Sequence, residues 1–127
     1  MPTLYIYVDG SDLEAYEAVL ISAFTQLAAK WSSVGALLVN MQHPRAPSMR
    51  PDDASDWDLG VNLPLENFGE AQAADLIPFA KTFSLQTDQE FVVGIASENG
   101  ITEDLVFLGA QAGEREFQML RKYAAGF

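Results

Sequence analysis

The apolar residues of this chain switch repeatedly between two spacings, and the order of the switches limits its fold more than any other feature. "TLYIYVDG", Thr3 to Gly10, is rich in β-branched and aromatic residues and runs into a turn, which predicts a strand. Leu4, Ile6 and Val8 fall on one face and Tyr5 and Tyr7 on the other, so both faces are apolar and the strand belongs in the middle of a sheet. "SDLE", Ser11 to Glu14, then fits a capping box, with the Ser11 hydroxyl taking the N3 amide and Glu14 reaching back. Leu13, Tyr16, Leu20, Phe24, Leu27 and Trp31 recur at three or four residues, one stripe of a long amphipathic helix.

A second strand is expected over Val34 to Met41, a nearly continuous apolar run. The stretch "QHPRAPSMRPDDASD" follows, with Pro44, Pro47 and Pro51; proline removes backbone donors and disfavours helix before it, so an irregular loop is expected. Loops of this length in a small domain are often functional. "WDLGVNL" alternates, with Trp57, Leu59, Val61 and Leu63 on the core face and Asp58, Gly60 and Asn62 on the other. A second helix is expected over Ala71 to Leu85, with Ile77, Ala80 and Phe83 inward and its regular start near Asp75, which would put Pro78 in the first turn. "FVVGIAS" and "ITEDLVFLG" flank Glu98-Asn99-Gly100, a strong hairpin signal. Glu114 to Ala125 predicts a last helix, acidic in its first turn and basic in its last, with Phe117, Leu120 and Ala124 inward and Gly126 as its stop.

The resulting order, β-α-β-β-α-β-β-α, predicts a single α+β domain over residues 1–127. Its first six elements match the split, ferredoxin-like βαββαβ plan, extended by a hairpin strand and a C-terminal helix. The sheet should be mainly antiparallel with helices packed on it.

Charge and composition narrow the function classes. The net charge of −11 repels nucleic-acid phosphates and anionic lipid, and attracts basic proteins and cations. No nucleic-acid partner and no membrane partner are therefore expected. With no cysteine there is no disulfide framework and no thiolate zinc site. The N-terminal residues lack a basic stretch followed by an apolar one, and no apolar run approaches the roughly 18 residues of a membrane span. These features suggest a cytoplasmic, bacterial protein.

Asp52, Asp53, Asp56 and Asp58 gather around Trp57, and neither register of a calcium loop fits them. Counted from Asp52, the third, sixth and twelfth positions are Ala54, Trp57 and Leu63; counted from Asp53, the fifth and twelfth are Trp57 and Pro64. The cluster is then either solvated charge or a recognition surface, with Arg50 beside it. Asp9 and Ser11 in "DGSD" sit between strand and helix, where capping explains Ser11 better than catalysis does. His43 is the only histidine, and without a nucleophile motif or a second histidine it forms neither a triad nor a two-histidine metal face. No glycine-rich phosphate loop is present. Glu103 and Asp104 suit an edge strand, where charge blocks strand-to-strand aggregation.

The expectation is a small acidic protein-binding module, not an enzyme, resembling immunity proteins in size, charge and lack of cysteine, and masking a basic, toxin-like partner through Asp52, Asp53, Asp56, Asp58 and Arg50. A rival is a small enzyme or ligand-binding domain with a pocket lined by Tyr5, Tyr7, Asp9 and His43. A third is a homo-oligomeric structural subunit. No metal or cofactor is expected. Thermal melts in EDTA and in millimolar Ca²⁺, Mg²⁺ or Zn²⁺ should therefore agree within a few degrees; a large metal-dependent rise would restore the aspartates as a metal site, because a ligand bound only to the native state stabilises it.

Overall fold

The computed structural model of the protein describes residues 2–9, 16–42, 57–99 and 101–124, and for residues 41, 42, 57 and 58 the backbone only. The SDLE capping box, the proline loop and Gly126 lie outside the described residues. The strands are β1 (Thr3–Asp9), β2 (Leu37–Gln42), β3 (Trp57–Pro64), β4 (Glu90–Ala96) and β5 (Thr102–Leu108). The helices are α1 (Glu17–Lys30), α2 (Glu70–Thr87) and α3 (Glu114–Arg121).

The strand order is β2-β3-β1-β4-β5, and every neighbouring pair is antiparallel. β1 and β2 thus run parallel with β3 between them, and β3 and β4 run parallel with β1 between them. This is an α+β fold, one antiparallel five-stranded sheet with three helices, and nothing in its strand order conflicts with the split plan. β5 adds an outer strand beside β4. Its hairpin closes through the Ser97 amide, which donates to the Ile101 carbonyl at 2.8 Å.

Alternation assigns each strand residue to a face. Leu4, Ile6 and Val8 of β1, Leu59, Val61 and Leu63 of β3, Phe91 and Val93 of β4, and Val106 and Leu108 of β5 are buried on one side. The buried residues of all three helices, Leu20, Phe24 and Leu27, Ala73, Leu76 and Ala80, and Leu120, join the same cluster. Phe24, Phe79 and Phe91 meet at ring-centroid distances of 5.3 to 5.7 Å, fastening α1 and α2 to the sheet and to each other. The opposite face of the sheet carries no helix among the described residues.

Two features of the helices depart from the periodic reading. The helix α2 begins at Glu70, five residues before the expected start, with Gly69 as its cap and Gln72 Oε1 accepting the Gly69 amide at 2.9 Å. Pro78 is therefore interior to the helix. It is exposed, as is Ala74, whose carbonyl loses its helical donor, so water can take that bond over. The inward stripe is Ala73, Leu76, Ala80, Ser84 and Thr87 with Phe79, while Ile77 and Phe83 flank it half-buried. In α3, Leu120 is buried and Phe117 packs partly against the core, as expected, although the regular helix ends at Arg121.

Asp75 is not a helix start but a tie between helices. The buried Trp31 indole donates from Nε1 to Asp75 Oδ2 at 3.0 Å, and Lys30 Nζ donates to Oδ1 at 3.1 Å. Removing the acceptor leaves an indole N–H inside the protein with no partner, which costs about 1–3 kcal/mol. Asp75→Ala should lower stability in urea denaturation by that amount and Asp75→Asn by much less; equal stability of wild type and Asp75→Ala would show that the tie contributes nothing.

Candidate binding face

On the helix-free face, the central strand presents two aromatic side chains where polar ones would ordinarily stand. Each lies over a glycine on the neighbouring strand. Tyr5 is opposite Gly94 of β4, and Tyr7 is opposite Gly60 of β3. A Cβ on Gly94 would overlap the Tyr5 hydroxyl end and the Glu103 carbonyl oxygen, and one on Gly60 would overlap the Tyr7 ring and the Ile6 carbonyl oxygen. The absence of a side chain at these two positions lets the rings lie down on the sheet, a close approach that glycine within a strand permits. The rings lean outward from β1 and still meet, with centroids 5.4 Å apart at 36°.

Their hydroxyls are fixed by neighbouring strands. Tyr5 Oη donates to Asp104 Oδ1 at 2.6 Å, reaching across β4 to β5. A bulge makes this reach possible: Val93 pairs with Val106 but Gly94 with Asp104, so Leu105 is the extra residue. Tyr7 Oη donates to Asn62 Oδ1 at 2.9 Å. Burial pushes the Tyr5 phenol well above its ordinary range, and the hydrogen bond to Asp104 and that carboxylate's charge push it further. Tyr5 is thus a neutral donor with its proton committed.

Thr3, Tyr5, Tyr7, Asn62, Val92, Ala96, Thr102 and Asp104 line an open depression of about 370 Å³. Toward the end of the strands, Asp9 and Glu90 stand directly opposite each other in the β1–β4 register, both exposed. Like charges in opposed cross-strand positions destabilise a sheet, and neither has an ion pair among the described residues. The five strands contain no lysine, arginine or histidine. A second depression of about 560 Å³ lies between the end of β5 and α3, but its Glu116 carboxylate caps the Gly113 amide at 2.9 Å and Glu114 takes the Gln118 amide at 2.7 Å.

Of the residues singled out in the sequence, Tyr5 and Tyr7 come together in the depression and Asp9 stands beyond it at the strand end. His43, Arg50, Asp52, Asp53 and Asp56 lie outside the described residues. The backbone of Asp58 pairs with Met41 on β3 and β2. Among the described residues no group of three or more histidine, cysteine and acidic side chains is placed to hold a metal ion, and no helix is long and apolar enough to cross a membrane. Asn62 and Asp104 complete the site; β3 alternation puts Asn62 on this face, and no local signal ties either residue to its tyrosine. Glu103 and Asp104 do lie on an edge strand, β5. No protein family, curated protein or solved structure matches the chain.

The tyrosine–glycine pairing sets the stability of this face. Gly94→Ala should cost about 1–3 kcal/mol, the usual range for overpacking, measured by chemical denaturation. Adding Tyr5→Ala should recover only part of it, because the Glu103 carbonyl is backbone and does not yield. Full recovery in the double variant would mean that the ring alone excludes a side chain at Gly94.

Proposed function

We propose that this protein is a binding module that captures a basic protein partner through the helix-free face of its sheet, acting as a small acidic inhibitor of immunity-protein type. The observation that carries the reading is the opposed pair Asp9 and Glu90, on strands without a single cationic residue. The pair has no ion pair among the described residues and shares its sheet face with Asp104, whose partner Gly94 lies four residues beyond Glu90 along β4. Selection for stability alone disfavours such an arrangement, whereas a cationic partner relieves it on binding. Aromatic side chains at the centre of a face with a polar rim are a feature of protein-binding surfaces. Clustered carboxylates also speed association by long-range attraction.

Asp52, Asp53, Asp56 and Asp58, with Arg50, belong to the same proposal, because the segment that carries them leads into β3, the strand beside the tyrosines. Small-ligand binding in the Tyr5–Tyr7 depression is the second reading, favoured by the depression itself. Against an enzyme built on Tyr5, a phenol with a raised pKa that already donates to a carboxylate is a poor base or nucleophile at neutral pH.

The test uses the wild type and the triple variant Asp9→Asn, Glu90→Gln, Asp104→Asn. Asp9→Asn with Glu90→Gln alone should melt at the same temperature or higher, since cross-strand repulsion is relieved, and adding Asp104→Asn should take back part of that gain because it weakens the acceptor of the Tyr5 hydrogen bond. The wild type, used as bait, should retain a basic protein at low salt and release it as salt rises; the variant should associate at least several-fold more slowly. A retained partner that is acidic, or an association rate that the variant leaves unchanged at low salt, would sink the proposal.

A further inference from the structure

The two phenol hydrogens in the depression are already committed, Tyr5 to Asp104 and Tyr7 to Asn62. What the site offers is therefore the Asp104 carboxylate and the half-buried Tyr7 ring, with the Asn62 amide and the Thr3 and Thr102 hydroxyls around them. The second Asp104 oxygen takes no hydrogen bond among the described residues. Among the described residues Asp104 is the only charged one lining the depression, and no strand supplies a cation to neutralise it. A ligand with negative charge would meet the Asp104 carboxylate. A donor-rich, planar cation fits both features: its N–H groups meet the carboxylate and its plane meets a tyrosine ring. At about 370 Å³ the space is near the low end for small-ligand pockets, roughly 300–1,000 Å³, and suits one side chain.

We infer that the depression seats one arginine side chain of the basic partner, its guanidinium against Asp104 and its plane on the half-buried Tyr7 ring, Tyr5 being buried beside it. This inference rests on the binding-module reading and names its anchor. Arginine is favoured over lysine because its fork presents donors in a plane, stacks on aromatic rings and is more weakly hydrated than an ammonium. Tyr5 serves as a positioning residue: its hydrogen bond holds Asp104 over the sheet, and the glycine at position 60 lets the Tyr7 ring lie down as the stacking surface.

The experiment titrates the full-length protein with three blocked tripeptides whose central residue is arginine, lysine or citrulline, following the Asn62 side-chain amide and the Asp104 backbone amide by NMR. The arginine peptide should shift both signals saturably at low salt, the lysine peptide should bind more weakly, and neutral citrulline should leave them in place. Asp104→Asn keeps an oxygen acceptor for Tyr5 but removes the charge; it should weaken arginine binding about tenfold or more, as loss of a charged hydrogen bond does. Tyr7→Leu should weaken it too. Saturable binding that Asp104→Asn leaves unchanged, equal binding of citrulline, or no shift at either residue would overturn the arginine seat. Retention of a basic protein that the Asp9, Glu90 and Asp104 variant abolishes, together with no arginine selectivity, would leave the binding module standing without this anchor.

Discussion

Everything in this fold depends on β1 having two faces that each meet a strict demand. Leu4, Ile6 and Val8 close the core against three helices, while Tyr5 and Tyr7 on the other side need glycines beneath them. Both demands are met in a single register. A slip of one residue along β1 would turn Leu4, Ile6 and Val8 outward and drive the tyrosines into the core. The same slip would take Tyr5 off Gly94 and Tyr7 off Gly60. Register in the middle of the sheet is thus specified twice, once by burial and once by ring-on-glycine contact, and β3 and β4 are fixed from both sides of the sheet.

This arrangement divides the molecule by task. The helix side is dense with large apolar groups, Trp31, Phe24, Phe68 and Phe91 among those fully buried, and supplies the cohesion. The other side needs little from its surface residues for folding beyond the two glycines. Carboxylates such as Asp9 and Glu90 can therefore stand opposite each other there at small cost, in water, where the repulsion of one close like-charged pair is only about 1 kcal/mol.

Much of the fold was legible because alternation and three-to-four spacing speak directly to β1, β3, α1 and the β4–β5 hairpin. Its central strand was readable from Tyr5 and Tyr7 lying opposite Leu4, Ile6 and Val8. The start of α2 was not readable, because "LIPFA" offers two overlapping apolar stripes and a proline that normally marks a first turn. Tertiary contact decides between them: Phe79 meets Phe24 and Phe91, which draws Leu76 and Ala80 inward and leaves Pro78 outside. The site was legible in its tyrosines and not in its partners. Asp104 lies 99 residues from Tyr5 and Asn62 lies 55 from Tyr7, and a pairing over that distance leaves no trace in local periodicity. Asp104 reads as edge charge in the sequence, and on the edge it also anchors the tyrosine.

Among the described residues, the two outer strands of the sheet are unlike each other. β5 carries Glu103 and Asp104 and a bulge at Leu105, three devices that discourage a further strand. β2, "LLVNMQ", has no charge and no proline, and Leu37 is 70% exposed at its start. Addition of strands to this sheet is thereby chemically one-sided. A fibre grows only when each added unit offers a new acceptor edge on its far side, and here the far side is always the charged and kinked β5. Any edge-to-edge joining of two copies through β2 uses up both permissive edges at once, so the sheet geometry itself terminates at ten strands what an ordinary apolar edge would propagate.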